Sequence, residues 1–338
     1  MPLKISVVVC CHNSASRIDP TLKHLGGQAG LGPDAWEIIL VDNNSTDGTG
    51  ELAGGIWRQF ETGASFRVVK EEKPGQLYAR LRGVSEAHSE LIAFVDDDNW
   101  LEPNWLRNAI AIMAAHPEVG ALGGSIEAHY QQKPPDWIKS MEPALACGTV
   151  SESYEQIFER GGLVAGAGCV VRKAGYTAVL EKFGGFEQAG RIGQALSGGD
   201  DIEMLYKIQM AGFKVMKSGR LSLKHFIPTA RTTIHYHVQL TKGTAVAAIA
   251  LDPLRRIVRG QKHPSLWYYR LLASFFFSFL RSAPQAIIFR QRAPARFITY
   301  SALRQLLFPI LAGRNQYYRK YQSLEKYLLP QSFQNRAL

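Results

Sequence analysis

The chain has 338 residues, 46% of them hydrophobic, and a formal net charge of +10 at pH 7. This length allows one large domain or two modest ones with a substantial core, and no extended low-complexity stretch interrupts it. The four cysteines lack both metal-ligand spacing and the density of a disulfide scaffold, which excludes a cysteine-rich secreted module and favours a reducing compartment.

The N-terminus carries no recognisable targeting pattern. The apolar run after Met1 ends at His12-Asn13, which is too short for a signal peptide or a membrane span. We therefore expect a cytosolic N-terminus.

Alternating apolar and amphipathic stretches in the first hundred residues predict strand and helix units of a parallel sheet. The predicted strands cover residues 5–9, 37–41 and 91–95. The predicted helices cover residues 16–25, 49–60 and 76–88. This alternation is typical of an α/β fold.

Polar residues follow each of these strands at once. They are His12-Asn13, Asp42-Asn43-Asn44 and Asp96-Asp97-Asp98. Ligands of open parallel sheets bind outside the carboxyl ends of the strands, so we expect these three polar ends to meet at one crevice.

The three consecutive carboxylates Asp96, Asp97 and Asp98 are the most informative of these ends. Adjacent carboxylates repel one another and are costly to bury unpaired, so a divalent metal or a metal-bound polyphosphate is a natural partner. A solvated acidic turn is the alternative. Neither a dinucleotide-binding glycine pattern nor a P-loop occurs, so phosphates would have to be held in another way.

The middle of the chain is looser. Residues 131–137 predict an exposed loop that presents Trp137. Gly161-Gly162 and Gly166-Ala167-Gly168 precede a predicted strand at residues 169–171. These glycines allow close approach of a ligand, but turn geometry alone explains them equally well.

A second acidic group follows at residues 198–203. Asp200 as N-cap with Glu203 three residues later predicts a capping box, which leads into an apolar-periodic helix that stops near Gly212. Asp201 is not needed for that cap, and the helix dipole would keep it ionised. Asp201 is therefore the carboxylate of this group that is available for chemistry.

The last part of the chain is strongly basic. From Pro253 onward there are 15 Lys and Arg residues and one acid, Glu325. Aromatic and aliphatic residues accompany these charges, which favours an amphipathic segment at an anionic membrane surface over a nucleic-acid arm. The longest apolar stretch, residues 271–280, is too short to cross ~30 Å of hydrocarbon. Packing on the rest of the chain, or a homodimer contact, is the alternative.

Residues 4–235 resemble a family 2 glycosyltransferase with the GT-A fold. The resemblance rests on residues 6–13, on residues 37–49, on Pro74-Gly75 with Ala79-Arg80 and Gly83, and on residues 94–98. It implies an α/β, Rossmann-like, mostly parallel central sheet with helices on both faces at residues 1–250, with a donor half to about residue 125 and an acceptor half after it. A helical basic and aromatic extension would occupy residues 251–338.

The resemblance also implies roles for individual residues. Asp42 would hydrogen-bond the nucleobase of a nucleotide-sugar donor, and Asp201 would be the general base. Asp96 and Asp98 would bind the donor diphosphate through Mn²⁺ or Mg²⁺, with His225 completing the metal shell. A packed or surface histidine is the alternative reading of His225.

Further contacts follow from the same comparison. Donor contacts are expected from His12, Asn13, Asn44, Lys73, Gly75, Arg80, Asp96, Asp97 and Arg231, and acceptor contacts from Trp137, Gly168 and Asp200. The chain departs from the family pattern at Cys10-Cys11-His12, where Pro-Thr-Tyr is usual, and at Lys73 and Arg82, where asparagine is usual. Two arrangements therefore stay open for the nucleobase: stacking on His12, or no stacking there.

The predicted function is metal-dependent, inverting transfer of a sugar to an acceptor hydroxyl, on a glycan or lipid-linked acceptor, at the cytoplasmic face of the cell membrane. A non-catalytic membrane-surface or interaction protein on the same scaffold is an alternative, although the acids such a scaffold would lose are all present. A sugar nucleotidyltransferase is a weaker one, because no glycine- and lysine-rich activation loop follows the first strand. We expect no nucleic-acid partner, since such a partner would not explain the acidic crevice.

Overall fold

The computed structural model describes residues 3–188, 190, 198–261, 273, 276, 277, 323 and 324. The strands are β1 Ile5–Cys11, β2 Trp36–Asp42, β3 Ser65–Lys70, β4 Leu91–Asp96, β5 Asn99–Leu101, β6 Val119–Tyr130, β7 Glu155–Phe158, β8 Cys169–Arg172 and β9 Lys214–Ile227. The α-helices are α1 Ile18–Gly26, α2 Thr49–Trp57, α3 Gln76–Glu86, α4 Trp105–Ala115, α5 Lys173–Phe183, α6 Asp200–Met210 and α7 Ile234–Val258. Short 3-10 helices span Pro33–Ala35, Asp136–Leu145 and Thr229–Thr232.

The chain divides into two compact units. The first comprises Met1–His129, Ala146–Gln194 and Asp200–Ile227, and the second comprises Tyr130–Leu145, Ala195–Gly199 and Pro228–Leu338. Helix α7 runs through residue 250, where the sequence suggested a domain boundary.

One mixed sheet of nine strands organises the first unit. Its order is β3-β2-β1-β4-β8-β6-β9-β5, with β7 paired to β9. The first four strands are parallel, as the alternating pattern predicted, whereas β8 pairs antiparallel with β4 and β6. Strand β9 pairs antiparallel with β5 and β7. The predicted α/β class is confirmed.

The apolar runs of β1, β2 and β4 form the buried centre of this sheet because helices cover it. Helix α3 packs very closely on β1: a Cβ added to Gly83 would lie 2.3 Å from Val8 Cγ1. Arg80 lies three residues earlier on the same helix and therefore also faces the sheet.

Most of the basic tail lies outside the described residues. This includes most of the expected helical extension and of its apolar stretch at residues 271–280. Phe276 and Phe277, which are described, are exposed. Among the helices that the structure describes, none combines the length and apolar character that a membrane crossing requires.

A buried carboxylate fixes the start of β2. Glu37 accepts hydrogen bonds from the Ser6 hydroxyl at 2.6 Å and from the His88 backbone N–H at 2.9 Å, and it pairs with Arg67. Burial alone would raise the pKa of Glu37, but these donors outweigh it and lower the pKa from 4.5 to about 2. The ionised form is therefore favoured in the folded state.

This network predicts a defined acid dependence of stability. A carboxyl group with a lowered folded-state pKa stabilises the fold above its unfolded pKa, and that contribution disappears as the pH falls through the folded-state pKa. For Glu37 the contribution is about 3 kcal/mol, lost between pH 4.5 and about 2. Urea unfolding should show wild type more stable than Glu37→Gln at pH 7 and the two converging towards pH 2. A constant difference across that range would contradict the assignment.

Candidate functional site

The ends of β2 and β4 lie on either side of the end of β1. Cys11 of β1 is in register with Asp42 of β2, and Cys10 is in register with Asp96 of β4. Two strand spacings separate the acids, about 10 Å. The predicted convergence of the Asp42 and Asp96 ends at one edge of the sheet is therefore present in the strand register.

The loops after β1 and β2 are tied to each other. Asn13 and Asn44 both adopt left-handed backbone conformations, with φ of 50° and 61°, which asparagine tolerates better than most residues. The Asn13 N–H donates to Ser45 Oγ at 3.0 Å, and Asn13 Oδ1 accepts from the Thr46 N–H at 2.9 Å. Both asparagines thus have turn roles whether or not they contact a donor.

Asn43 connects the loops after β1 and β2 to the segment before α3. Its side-chain amide donates to the carbonyls of Glu71 and Lys73 at 3.0 and 2.7 Å, and its Oδ1 accepts from the Gly75 N–H at 2.8 Å. No site role was predicted for Asn43. Its position directly after Asp42 in a strand-end motif was the available signal.

Three of the residues predicted to contact the donor, His12, Lys73 and Gly75, lie near Asn43. The exposed His12 ring has Nδ1 2.8 Å from the Asn43 carbonyl oxygen. Lys73 Nζ lies 3.8 Å from the centroid of the Tyr78 ring. Gly75 has φ of 132°, a conformation that excludes other residues.

Asp97 is buried, like Asp98, and its carboxylate has partners within the chain. Its carboxylate pairs with Arg17 Nη2 at 2.7 Å and accepts a hydrogen bond from the Ser14 hydroxyl. Burial and the neighbouring Asp98 raise the pKa of Asp97, while Arg17 opposes the increase. Arg17, which sequence reasoning missed, anchors the loop after β1 to the triplet.

Asp98 faces His225 across β5 and β9. The register pairs Asn99 with His225, and the Phe226 N–H donates to the Asp98 carbonyl at 2.9 Å. As a result, His225 Nε2 lies 3.5 Å from Asp98 Oδ1, and both side chains are buried. The structure therefore pairs two of the three residues that were predicted to hold a metal.

This pair suits a divalent cation in its donor chemistry. It offers one carboxylate oxygen and one imidazole nitrogen, which Mn²⁺ accepts. Burial would lower the pKa of His225, but the Asp98 carboxylate raises it to about 10. A cation at Nε2 would replace that proton. Within the residues that the structure describes, no group of three or more His, Cys, Asp or Glu side chains is arranged to hold a metal, so further ligands would come from elsewhere.

Arg80 and Asp200 form a buried ion pair although 120 positions separate them in the sequence. Arg80 Nη1 lies 2.6 Å from Asp200 Oδ2, with side chains only 6% and 8% exposed. Burial would lower the pKa of Arg80, but Asp200, Asp96 and Asp201 outweigh it and raise that pKa. The charge of Arg80 therefore interacts both with Asp96 of the triplet and with the Asp200-Asp201 pair.

Asp201 is held in the first turn of α6. Its Oδ2 accepts from the Gly166 N–H at 3.1 Å, and its Oδ1 accepts from the Ile202 N–H at 2.8 Å. Gly166 has to be a glycine, because an added Cβ would lie 2.6 Å from the Asp201 Cβ. Gly166 thus allows close packing against Asp201.

The expected capping box at Asp200 is wrong. Helix α6 already includes Asp200, whose carboxylate pairs with Arg80. Glu203 does not reach back to the helix start: it accepts from the Glu187 and Gln188 N–H groups and pairs with Lys207 at 2.7 Å. Long-range partners replace the local pattern.

The remaining predicted residues are distributed over both units. Gly168, in the first unit, has φ of +63°, and an added Cβ would lie 2.1 Å from Leu223 Cδ2. Trp137 and Arg231 belong to the second unit. The expected exposed loop is present at residues 131–135, but a 3-10 helix begins at Asp136, and the half-buried Trp137 packs edge-on against His237 with ring centroids 5.3 Å apart.

A comparison with protein families gives a match to the model of Glycosyl transferase family 2 over residues 6–167. Residues 6–167, just under half of the chain, are therefore similar to family 2 glycosyltransferases. The matched range ends before Asp200, Asp201 and His225, so the roles of these three residues rest on geometry and on the resemblance of the sequence.

Named relatives agree with this assignment. Glycosyltransferase AglE of Haloferax volcanii is 29% identical over 128 residues, which are 37% of this chain and 40% of AglE. Dodecaprenyl-phosphate galacturonate synthase of Rhizobium johnstonii is 31% identical over 102 residues, which are 30% of each protein. The chain thus spans less than half the length of these curated relatives.

Solved structures confirm the GT-A fold. The mannosyltransferase PcManGT from Pyrobaculum calidifontis, determined with GDP-Man and Mn²⁺, superposes with a TM-score of 0.57. The match covers 93% of this chain and 87% of that one at 19% identity. At this identity the likeness shows the fold alone.

Proposed function

We propose that this family 2 protein is an inverting, metal-dependent glycosyltransferase that moves a sugar from a nucleotide-sugar donor to an acceptor hydroxyl. The observation that carries the proposal is the convergence on Arg80 of Asp96, at the end of β4, and Asp201, at the start of α6. This shared partner supports one site for the predicted donor motif and the predicted general base.

The reaction needs a Lewis acid at the leaving diphosphate and a general base at the acceptor hydroxyl. The leaving diphosphate develops negative charge, which a cation held by Asp98 and His225 would neutralise as a Lewis acid. Mg²⁺ and Mn²⁺ commonly take one or two protein ligands and complete their shell with substrate phosphates. A pair of protein ligands is therefore sufficient for this role.

Asp201 is the proposed general base. It is half-buried, and each of its oxygens accepts one backbone N–H, which leaves acceptor capacity for a substrate hydroxyl proton. Asp200 cannot easily share this role because Arg80 already engages it. A single base that activates one direct displacement gives inversion at the anomeric carbon.

The donor contacts are assigned to the rim after β1 and β2. Asp42 would accept a hydrogen bond from the nucleobase, with His12, Asn13 and Asn44 beside it, while Lys73 would approach the phosphates. The GDP-Man and Mn²⁺ complex of PcManGT supports a nucleotide sugar with a divalent cation.

The acceptor is proposed to be a glycan or a lipid-linked precursor, with Trp137, Gly168 and Asp200 on the acceptor side. The name of the galacturonate synthase from Rhizobium johnstonii, which includes a polyprenyl phosphate, supports an acceptor of this class. The basic, aromatic tail after Pro253 would bring the catalytic unit to an anionic membrane from the cytoplasmic side.

Replacing Asp201 with Asn should lower turnover by at least about 10²-fold, because the amide cannot take the acceptor proton. Nucleotide-sugar binding should persist, since Asp201 is proposed to act on the acceptor. A panel of nucleotide sugars with Mn²⁺ is first screened by thermal shift, and the best donor is then used for product detection by mass spectrometry. Asp34→Asn, at an exposed acid outside the site, is the matched control. Turnover of Asp201→Asn equal to the control would remove Asp201 from this role.

Membrane association is tested on the full chain with anionic and neutral vesicles. Arg270→Gln with Arg281→Gln removes the charges that bracket residues 271–280, and the expected loss is roughly 1 kcal/mol per charge, or about 30-fold in partitioning onto anionic vesicles. Lys4→Gln with Arg58→Gln removes two exposed charges from the first unit and serves as the control. Equal sedimentation of both double variants and wild type would defeat the proposal.

A further inference from the structure

Cys147, His225 and Asp98 form a buried line of three side chains. Cys147 Sγ lies 3.8 Å from His225 Nδ1, and His225 Nε2 lies 3.5 Å from Asp98 Oδ1. All three belong to the first unit, and each is at most 6% exposed. The imidazole is therefore engaged on both nitrogens, on opposite edges of the ring.

The backbone holds Cys147 firmly in this position. Its neighbour Gly148 exchanges two hydrogen bonds with Ile126 of β6, at 2.9 and 3.1 Å. The preceding residue, Ala146, adopts a left-handed conformation with φ of 60°, which is unfavourable for a non-glycine residue. The chain thus turns sharply just before it presents the sulphur to His225.

The chemistry of imidazole gives this contact a consequence. An imidazole that binds a cation through Nε2 must carry its proton on Nδ1, and the acceptor of that proton fixes both tautomer and ring orientation. Carboxylates and backbone carbonyls usually fill this role. Here the Cys147 sulphur lies at Nδ1, on the edge of the ring away from Asp98.

We propose that Cys147 is a positioning residue for the cation site: it accepts the Nδ1 proton of His225 and so directs Nε2 towards Asp98. The inference rests on the proposed function, because it assumes that Asp98 and His225 hold a divalent cation. Cys147 itself is placed behind the histidine and does not bind the cation.

The test measures binding of Mn²⁺ alone to the full chain, from the electron paramagnetic resonance signal of the free ion. Cys147→Ala removes the acceptor and should weaken Mn²⁺ binding by about 10–100-fold in Kd. Cys147→Ser restores a hydrogen-bonding oxygen and should recover most of that loss. Cys169→Ala removes another buried thiol, whose sulphur donates to the Val170 carbonyl, and should leave the Kd within twofold of wild type.

A second readout separates positioning from direct ligation. In protein loaded with Co²⁺, a thiolate ligand gives a strong ligand-to-metal absorption band in the near ultraviolet, and we expect none in wild type. Such a band, lost in Cys147→Ala, would overturn the positioning role by making Cys147 a ligand.

The remaining outcomes are also decisive. Equal Mn²⁺ affinities for wild type, Cys147→Ala and Cys147→Ser would overturn the inference and leave the proposed cation site intact. A Cys147→Ser variant as weak as Cys147→Ala would show that packing, not the hydrogen bond, is what matters, and would also overturn it. A wild type that binds no Mn²⁺, or binds it equally after His225→Ala, would overturn the cation site and the inference together.

Discussion

The buried ion pair between Arg80 and Asp200 is the interaction on which the site depends. It joins α3, which packs on β1 through Gly83, to the first residue of α6. An unpaired charge at either position would be costly, because removing one partner of a buried pair typically destabilises a protein by 3–5 kcal/mol. The pair therefore fixes where α6 begins, and with it the position of Asp201 beside Gly166.

The acids of the site are distinguished by their partners. Asp97 pairs with Arg17, Asp200 with Arg80 and Glu203 with Lys207, so that each of these buried carboxylates meets a cation from the chain. Asp98 instead meets a histidine, and Asp201 meets only backbone N–H groups among its described hydrogen bonds. This division explains how so many carboxylates can gather at one edge of a sheet.

The sequence predicted the elements that depend on local periodicity. Strands β1, β2 and β4 and helices α1 to α3 lie where the apolar patterns place them, and the polar residues at the strand ends follow from the same pattern. The partners of the acids could not be read in this way. Arg17 with Asp97, and Arg80 with Asp200, join residues 80 and 120 positions apart, and no local spacing encodes such a contact.

The capping box shows why a local signal can mislead. Asp200 and Glu203 have the right spacing, yet tertiary contacts with Arg80, Glu187 and Gln188 offer both carboxylates better partners than the helix start does. Cys147 is the opposite case: nothing in its sequence neighbourhood indicates a role, and only the tertiary fold brings its sulphur to 3.8 Å from His225 Nδ1.

A double-mutant cycle on Arg80 and Asp200, read as the free energy of unfolding in urea, tests the central claim most directly. Arg80→Met and Asp200→Leu should each destabilise the protein by about 3–5 kcal/mol, because each removes one partner of the buried pair. The double variant should be more stable than either single variant, since no buried charge is left over. Additive losses would contradict the account, because they would mean that the two side chains act independently and that Arg80 does not set the position of α6.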